Sequence, residues 1–208
     1  MLFKTTLVSC STLAAIGLIP ATGWSAIIWD EATQGDLSGN RAAPTALTLT
    51  LGSNNLLATT QGGDLEYVTI NVPGGHSLSS LFLQSYVGND ATAFIGMQTG
   101  TTFTESPSNP NVANLLGWTH FGPGPGNVGD DLLPQIGSGL GAQGFTPPLG
   151  ANSYTLWLQQ LGQPVTYQLD FEVTAVPEPR SAPICAACLL VAAWVVRRIR
   201  PRPRIDSI

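Results

Sequence analysis

The chain has 208 residues, 43% of them hydrophobic and only 10% charged, with 23 Gly, 16 Pro and a formal net charge of -5. That balance excludes intrinsic disorder, which pairs low hydrophobicity with high charge, and fits one domain of ordinary size. Positions 27–179 hold one basic residue, Arg41, against twelve Asp and Glu, a net charge of -11, so nucleic acid is excluded as a partner: phosphate backbones need clustered Lys and Arg.

At the N-terminus Lys4 precedes an apolar run from Leu7 to Ile19, then Pro20 and the small-residue stretch Ala21 to Ala26. Charge, apolar core and small residues in that order predict a secretory signal helix over residues 1–26, cleaved somewhere from 23 to 26. Leu7-Val8-Ser9-Cys10 resembles a lipobox, but the apolar core continues past Cys10.

Residues 27–175 read as an all-β ectodomain. Leu47, Leu49 and Leu51 alternate with Thr48 and Thr50. The same period of two recurs at Val68, Ile70 and Val72, at Leu81, Leu83 and Val87, and at Tyr154, Leu156 and Leu158. Its longest run is Val165, Tyr167, Leu169, Phe171 and Val173. Such alternation marks half-buried strands. Turn signals separate them at Gly52-Ser53-Asn54-Asn55, Gly62-Gly63-Asp64, Pro73-Gly74-Gly75, Gly88-Asn89-Asp90, Gly150-Ala151-Asn152 and Gly162-Gln163-Pro164. Short strands at this spacing predict an antiparallel β-sandwich. Asn111 to Leu116 suits a single helical turn. Residues 121–150 carry nine Gly and five Pro, and Leu132, Leu133, Ile136, Phe145 and Leu149 supply the apolar feet of an ordered cap.

The segment Gly62 to Leu78, with its acidic strand start, Val72-Pro73-Gly74 turn and apolar return strand, resembles the middle of a bacterial pre-peptidase C-terminal domain. That resemblance covers about Asn54 to Phe82. It implies a small jelly-roll accessory module, some relatives of which bind calcium or matrix polymers.

Chemistry-bearing residues are sparse. His76 and His120 stand in no zinc spacing. Gly35-Asp36-Leu37-Ser38 has Leu and Ser transposed relative to the Gly-Asp-Ser-Leu hydrolases, and no Gly-x-Ser-x-Gly elbow exists. A non-enzymatic protein is therefore the expectation, with a cryptic hydrolase as the remote alternative. Acidic residues gather as Asp30, Glu31 and Asp36, as Asp64 and Glu66 on one strand face, as Asp130 and Asp131, and as Asp170 and Glu172. Hard oxygen donors suit Ca²⁺, and Asp30, Asp36 and Asp64 are the expected ligands if this cofactor is bound. Trp29, Trp118 and Trp157 are candidates for stacking on sugars. Trp157 alternates with Leu156 and Leu158, so it is expected to be the exposed one, serving a polysaccharide-binding or adhesive module.

The C-terminal residues 176–208 form a tripartite tail: Val176-Pro177-Glu178-Pro179, an apolar segment over 182–196, and a basic tail over 197–208 led by Arg197, Arg198 and Arg200. Fifteen apolar residues rise about 22 Å as a helix, short of the roughly 30 Å hydrocarbon core, so a transmembrane helix here relies on snorkelling arginines or local thinning. The Arg cluster marks the cytoplasmic side. This tail resembles the PEP-CTERM sorting signal of Gram-negative bacteria. The resemblance implies a membrane exosortase as partner, transient anchoring in the cytoplasmic membrane, and display on the cell surface or release into an extracellular matrix. Pro183, Cys185 and Cys188 depart from the Leu and Gly more usual there. Cys10, Cys185 and Cys188 all fall in the end segments, which leaves the ectodomain without a disulfide.

Overall fold

The computed structural model describes residues 25–123 and 127–177. The expected signal helix up to Trp24, Glu178 and Pro179 of the expected sorting motif, the apolar segment and the Arg cluster lie outside them; Ala26, the last residue of the expected signal helix, opens the first strand, and Val176 and Pro177 are exposed. No helix among the described residues is long and apolar enough to cross a membrane.

The described chain is all-β, with eight strands: β1 (Ala26–Asp30), β2 (Thr45–Thr48), β3 (Gly52–Thr60), β4 (Leu65–Gly88), β5 (Ala93–Thr99), β6 (Gly117–Phe121), β7 (Leu149–Gln159) and β8 (Val165–Ala175). Two short helices, α1 (Glu31–Gln34) and α2 (Leu133–Gly137), and a 3-10 turn at Val112–Asn114 complete it. The strands form one hydrogen-bonded sheet in the order β1-β3-β8-β4-β7-β5-β6, with β2 on the free side of β4. Two pairs, β1 with β3 and β2 with β4, are parallel, so the sheet is mixed rather than purely antiparallel.

Strand β4 organises the fold. Its first half, Leu65 to Val72, pairs with β7, and His76 to Gly88 pairs with β8. Between them Pro73, which has no N–H to give a ladder, and Gly75, at a φ of 74°, occupy the break in register. The sequence pattern reads this stretch as a turn between two strands. It is instead a bend that carries one strand from one half of the sheet to the other, a recurrent way to fold a sheet over a core.

The inward positions of both halves meet in one core: Val68, Ile70, Leu81 and Leu83 of β4, Leu56 and Ala58 of β3, Leu156 and Leu158 of β7, and Tyr167, Leu169 and Phe171 of β8. Phe121 of β6 packs edge-on against Tyr167 of β8 at 5.5 Å between ring centroids, which joins the halves directly. The five alternating positions of β8 are all buried.

Four further expected placements are corrected, the first being Gly150-Ala151-Asn152, which lies inside β7 rather than in a turn. Gly52 to Asn55 is the start of β3 rather than a turn, because the Asn54 amide donates to the Thr50, Gly52 and Phe171 carbonyls at 2.8, 2.8 and 3.0 Å and so survives full burial. Leu51 lies past the end of β2 and is 38% exposed. Val87 is 69% exposed, since a register shift between Leu83 and Ser85 moves the following residues to the other face.

The cap is ordered where described. Leu132, Leu133 and Ile136 are fully buried, and Phe145 packs against the core. It also satisfies the edge of β4: Leu132 N–H donates to Leu81 O at 2.7 Å, and the Asp131 carboxylate accepts from Leu81 N–H at 2.9 Å.

Candidate functional site

Strands β5, β6 and β7 present a second face, away from the main core. Alternation sends Ile95, Leu156, Leu158 and Phe121 inward, so Phe94, Trp118, His120 and Trp157 share the outer side. Phe94 is the hub of this group. It meets Trp157 edge-on at 4.7 Å, stacks on Trp118 at 6.1 Å with 27° between planes, and meets His120 at 5.9 Å. Tyr67, Phe103 and Leu115 close the inner end around Trp157.

The rings line a groove of about 470 Å³. One wall is Pro107, Pro110 and Val112 from the loop between β5 and β6; the other is Asp90 with Gln159 to Leu161. Side-chain hydrogen bonds hold the loop wall in place. Gln98 Nε2 donates to Asn114 O at 3.0 Å, and Glu105 accepts from Asn111 N–H and Asn114 Nδ2, both at 2.7 Å. Trp118 Nε1 donates to Leu140 O at 3.1 Å, which fixes the ring from behind. The Asp90 carboxylate, braced by Ala91 N–H at 2.9 Å, puts an anionic acceptor on the rim.

Trp157 is 4% exposed, which corrects its expected placement on the surface. Its alternation with Leu156 and Leu158 does put it on the opposite face, but that face is covered by Phe103 and Leu115, so Trp157 is the groove's floor. Trp118, half-buried, and His120, exposed, are the accessible rings. Trp29 packs against the main core instead. The groove escapes sequence reading because its rings come from three strands and its wall from a loop with no periodic signal.

A second group sits on the core side of β4. Carboxylate oxygens of Glu31, Asp36 and Glu66 lie within 4.8 Å of one another. Glu31 is held by Leu37 N–H at 3.1 Å and Thr59 N–H at 2.6 Å. Glu66 is fully buried; its Oε2 accepts from the Tyr167 hydroxyl, and its Oε1 has no hydrogen-bond partner. Burial above all, with smaller additions from the charges of Glu31, Asp64 and Asp36, pushes the Glu66 carboxyl up to about 9 against the hydrogen bond from Tyr167. Desolvation likewise raises Glu31 and Asp64, with the Asp36 charge adding to both. Of the three expected ligands, then, only Asp36 stands in this cluster; Asp64 acts on it through its charge alone. Asp30 instead caps α1, accepting from Ala32 N–H at 3.0 Å, and its neighbour Glu31 stands in the cluster. The pattern at 64–66 does flag Glu66, whereas Glu31 reaches in only because α1 turns the chain directly after β1.

The other acidic pairs serve the scaffold. Asp131 and Asp130 hold the cap, and Asp170 accepts from Ser53 Oγ at 2.7 Å and Asn54 N–H at 3.0 Å. His76 Nδ1 lies 2.9 Å from Gly74 O, at the β4 bend.

No family model matches the chain, and no curated protein matches it. Among solved structures it is similar to the crystal structure of Aeromonas hydrophila PliG, a periplasmic lysozyme inhibitor of g-type lysozyme, at 11% identity over 62% of this chain and 96% of that one, with a TM-score of 0.32.

Proposed function

We propose that this chain is an exported, non-catalytic β-sandwich module that binds polysaccharide in the Phe94–Trp118–Trp157 groove. It is carried out of the cytoplasm by its N-terminal signal and sorted by an exosortase reading the tail that begins at Val176. The observation that carries the binding half is the groove itself. Sugar rings offer apolar C–H faces and hydroxyl rims, and an aromatic floor with an anionic acceptor and amide groups at its edge matches both. The loop wall is pre-organised by its own hydrogen bonds, which lowers the ordering cost of binding. The sorting half rests on Val176-Pro177-Glu178-Pro179, the apolar segment and the Arg cluster.

A hydrolase reading has less support. The two histidines are far apart in role, His76 at the β4 bend and His120 against Phe94 and Trp118, with no carboxylate hydrogen-bonded to either among the described residues. The test is titration of the purified protein with exopolysaccharide, followed by tryptophan fluorescence. Trp118→Ala should weaken binding by roughly tenfold or more in a variant that circular dichroism shows still folded, although loss of the contacts to Phe94 and Leu140 O lowers its melting temperature. Equal affinity of the two proteins would remove the groove as the binding site.

A further inference from the structure

We infer that Glu31, Asp36 and Glu66 form a divalent-cation site, with Ca²⁺ the ion that fits it. Acidic residues alone would not make this case, since acidic clusters commonly serve solubility. The decisive feature is Glu66. A fully buried carboxylate whose Oε1 has no hydrogen-bond partner is costly to leave unsatisfied, and here it stands within 4.8 Å of two other carboxylate oxygens. No basic side chain answers the charge: Arg41, the one basic residue among the described residues, donates to Thr104 O at the far loop.

The geometry selects the ion. Ca²⁺ takes oxygen ligands at roughly 2.3–2.6 Å, so two ligands on opposite sides of it stand up to about 5 Å apart, the span found here. The donor set is oxygen only, without His or Cys, which disfavours zinc and copper. The ligands also come from separate parts of the chain, α1, the loop after it and the start of β4, so a cation there ties the N-terminal segment to the central strand. Asp64 stands outside this group of three, and its charge adds to the negative field that raises both Glu66 and Glu31.

The site is separate from the aromatic groove. Glu66 faces the core and its neighbour Tyr67 the groove floor. The test is therefore stability of the purified full chain, measured by thermal melts in EDTA, in millimolar CaCl₂, and in NaCl at matched ionic strength. At free Ca²⁺ about a hundred times the dissociation constant, the melting temperature should rise by several degrees over both controls. Asp36 is exposed, so Asp36→Asn should fold and should lose most of that rise, as should Glu66→Gln if it folds. Glu172→Gln, a remote acid, should keep all of it. Identical curves for the native chain in the three solutions would overturn the inference, as would a calcium rise that Asp36→Asn leaves intact.

Discussion

Glu66 is the residue with the most to lose in this fold. Its carboxyl is raised from 4.5 to about 9 by burial, so in the cation-free protein the folded state holds a proton that the unfolded chain has released. Between those two values, therefore, the unfolded state binds fewer protons and stability falls as pH rises; below 4.5 the group contributes no slope. Glu31 and Asp64, also raised, add a slope of the same sign at the acid end of that window. Denaturant melts in EDTA from pH 5 to pH 9 should show this decline, and Glu66→Gln, which keeps a neutral group beside Tyr167, should flatten it. A native chain equally stable across the range would contradict the burial argument. Legibility at this scale is uneven. The pattern brings Asp30, Asp36 and Asp64 together, of which only Asp36 stands in the cluster, because an aspartate followed directly by a glutamate gives no sign of which one caps a helix and which one turns inward.

Among the elements, β8 shows how far alternation reaches. Its Val165 to Val173 pattern gives the inward face directly, and Phe171 is fully buried there while Gln168 is only half-buried on the other side. Phe171→Ala should cost about 3–5 kcal/mol and Gln168→Ala little, measured by chemical denaturation. Equal losses would mean the register is wrong. Strands whose two faces are both covered were illegible for the same reason. In β5, Ala93-Phe94-Ile95-Gly96-Met97 is apolar throughout, because Ile95 meets the main core and Phe94 the groove, so the period of two disappears. Sites of close approach are silent too. A Cβ on Gly117 of β6 would lie 2.1 Å from Ile136 O in α2, so Gly117→Ala should push the cap away from the strand and lower the melting temperature, although nothing in the sequence around Gly117 announces that contact.

For the molecule as a whole, the two ends and the body answer different questions, one by composition and the other by tertiary assembly. The expectations for the ends rest on charge and hydropathy in linear order, to which a membrane responds without any fold, and they lie almost wholly outside the described residues. The groove is not legible in that way, because it exists only once β7, β5 and β6 pair side by side and the loop at Pro107 to Val112 stands over them. The sorting proposal can accordingly be tested without touching the folded domain. An apolar segment of fifteen residues is marginal for spanning, so its hold on the bilayer should depend on Arg197, Arg198 and Arg200 at the cytoplasmic face. Replacing all three with Glu reverses six units of charge beside an anionic leaflet. It should shift the protein from its sorted location to the periplasm or to the unprocessed membrane fraction, while melts of the purified variant stay like those of the native chain. Fractionation and mass measurement of the mature C-terminus would read both outcomes. If the triple variant reaches the same location with the same C-terminus, the tail is an ordinary hydrophobic end and the exosortase drops out of the reading, leaving the aromatic groove to stand or fall by its own titration.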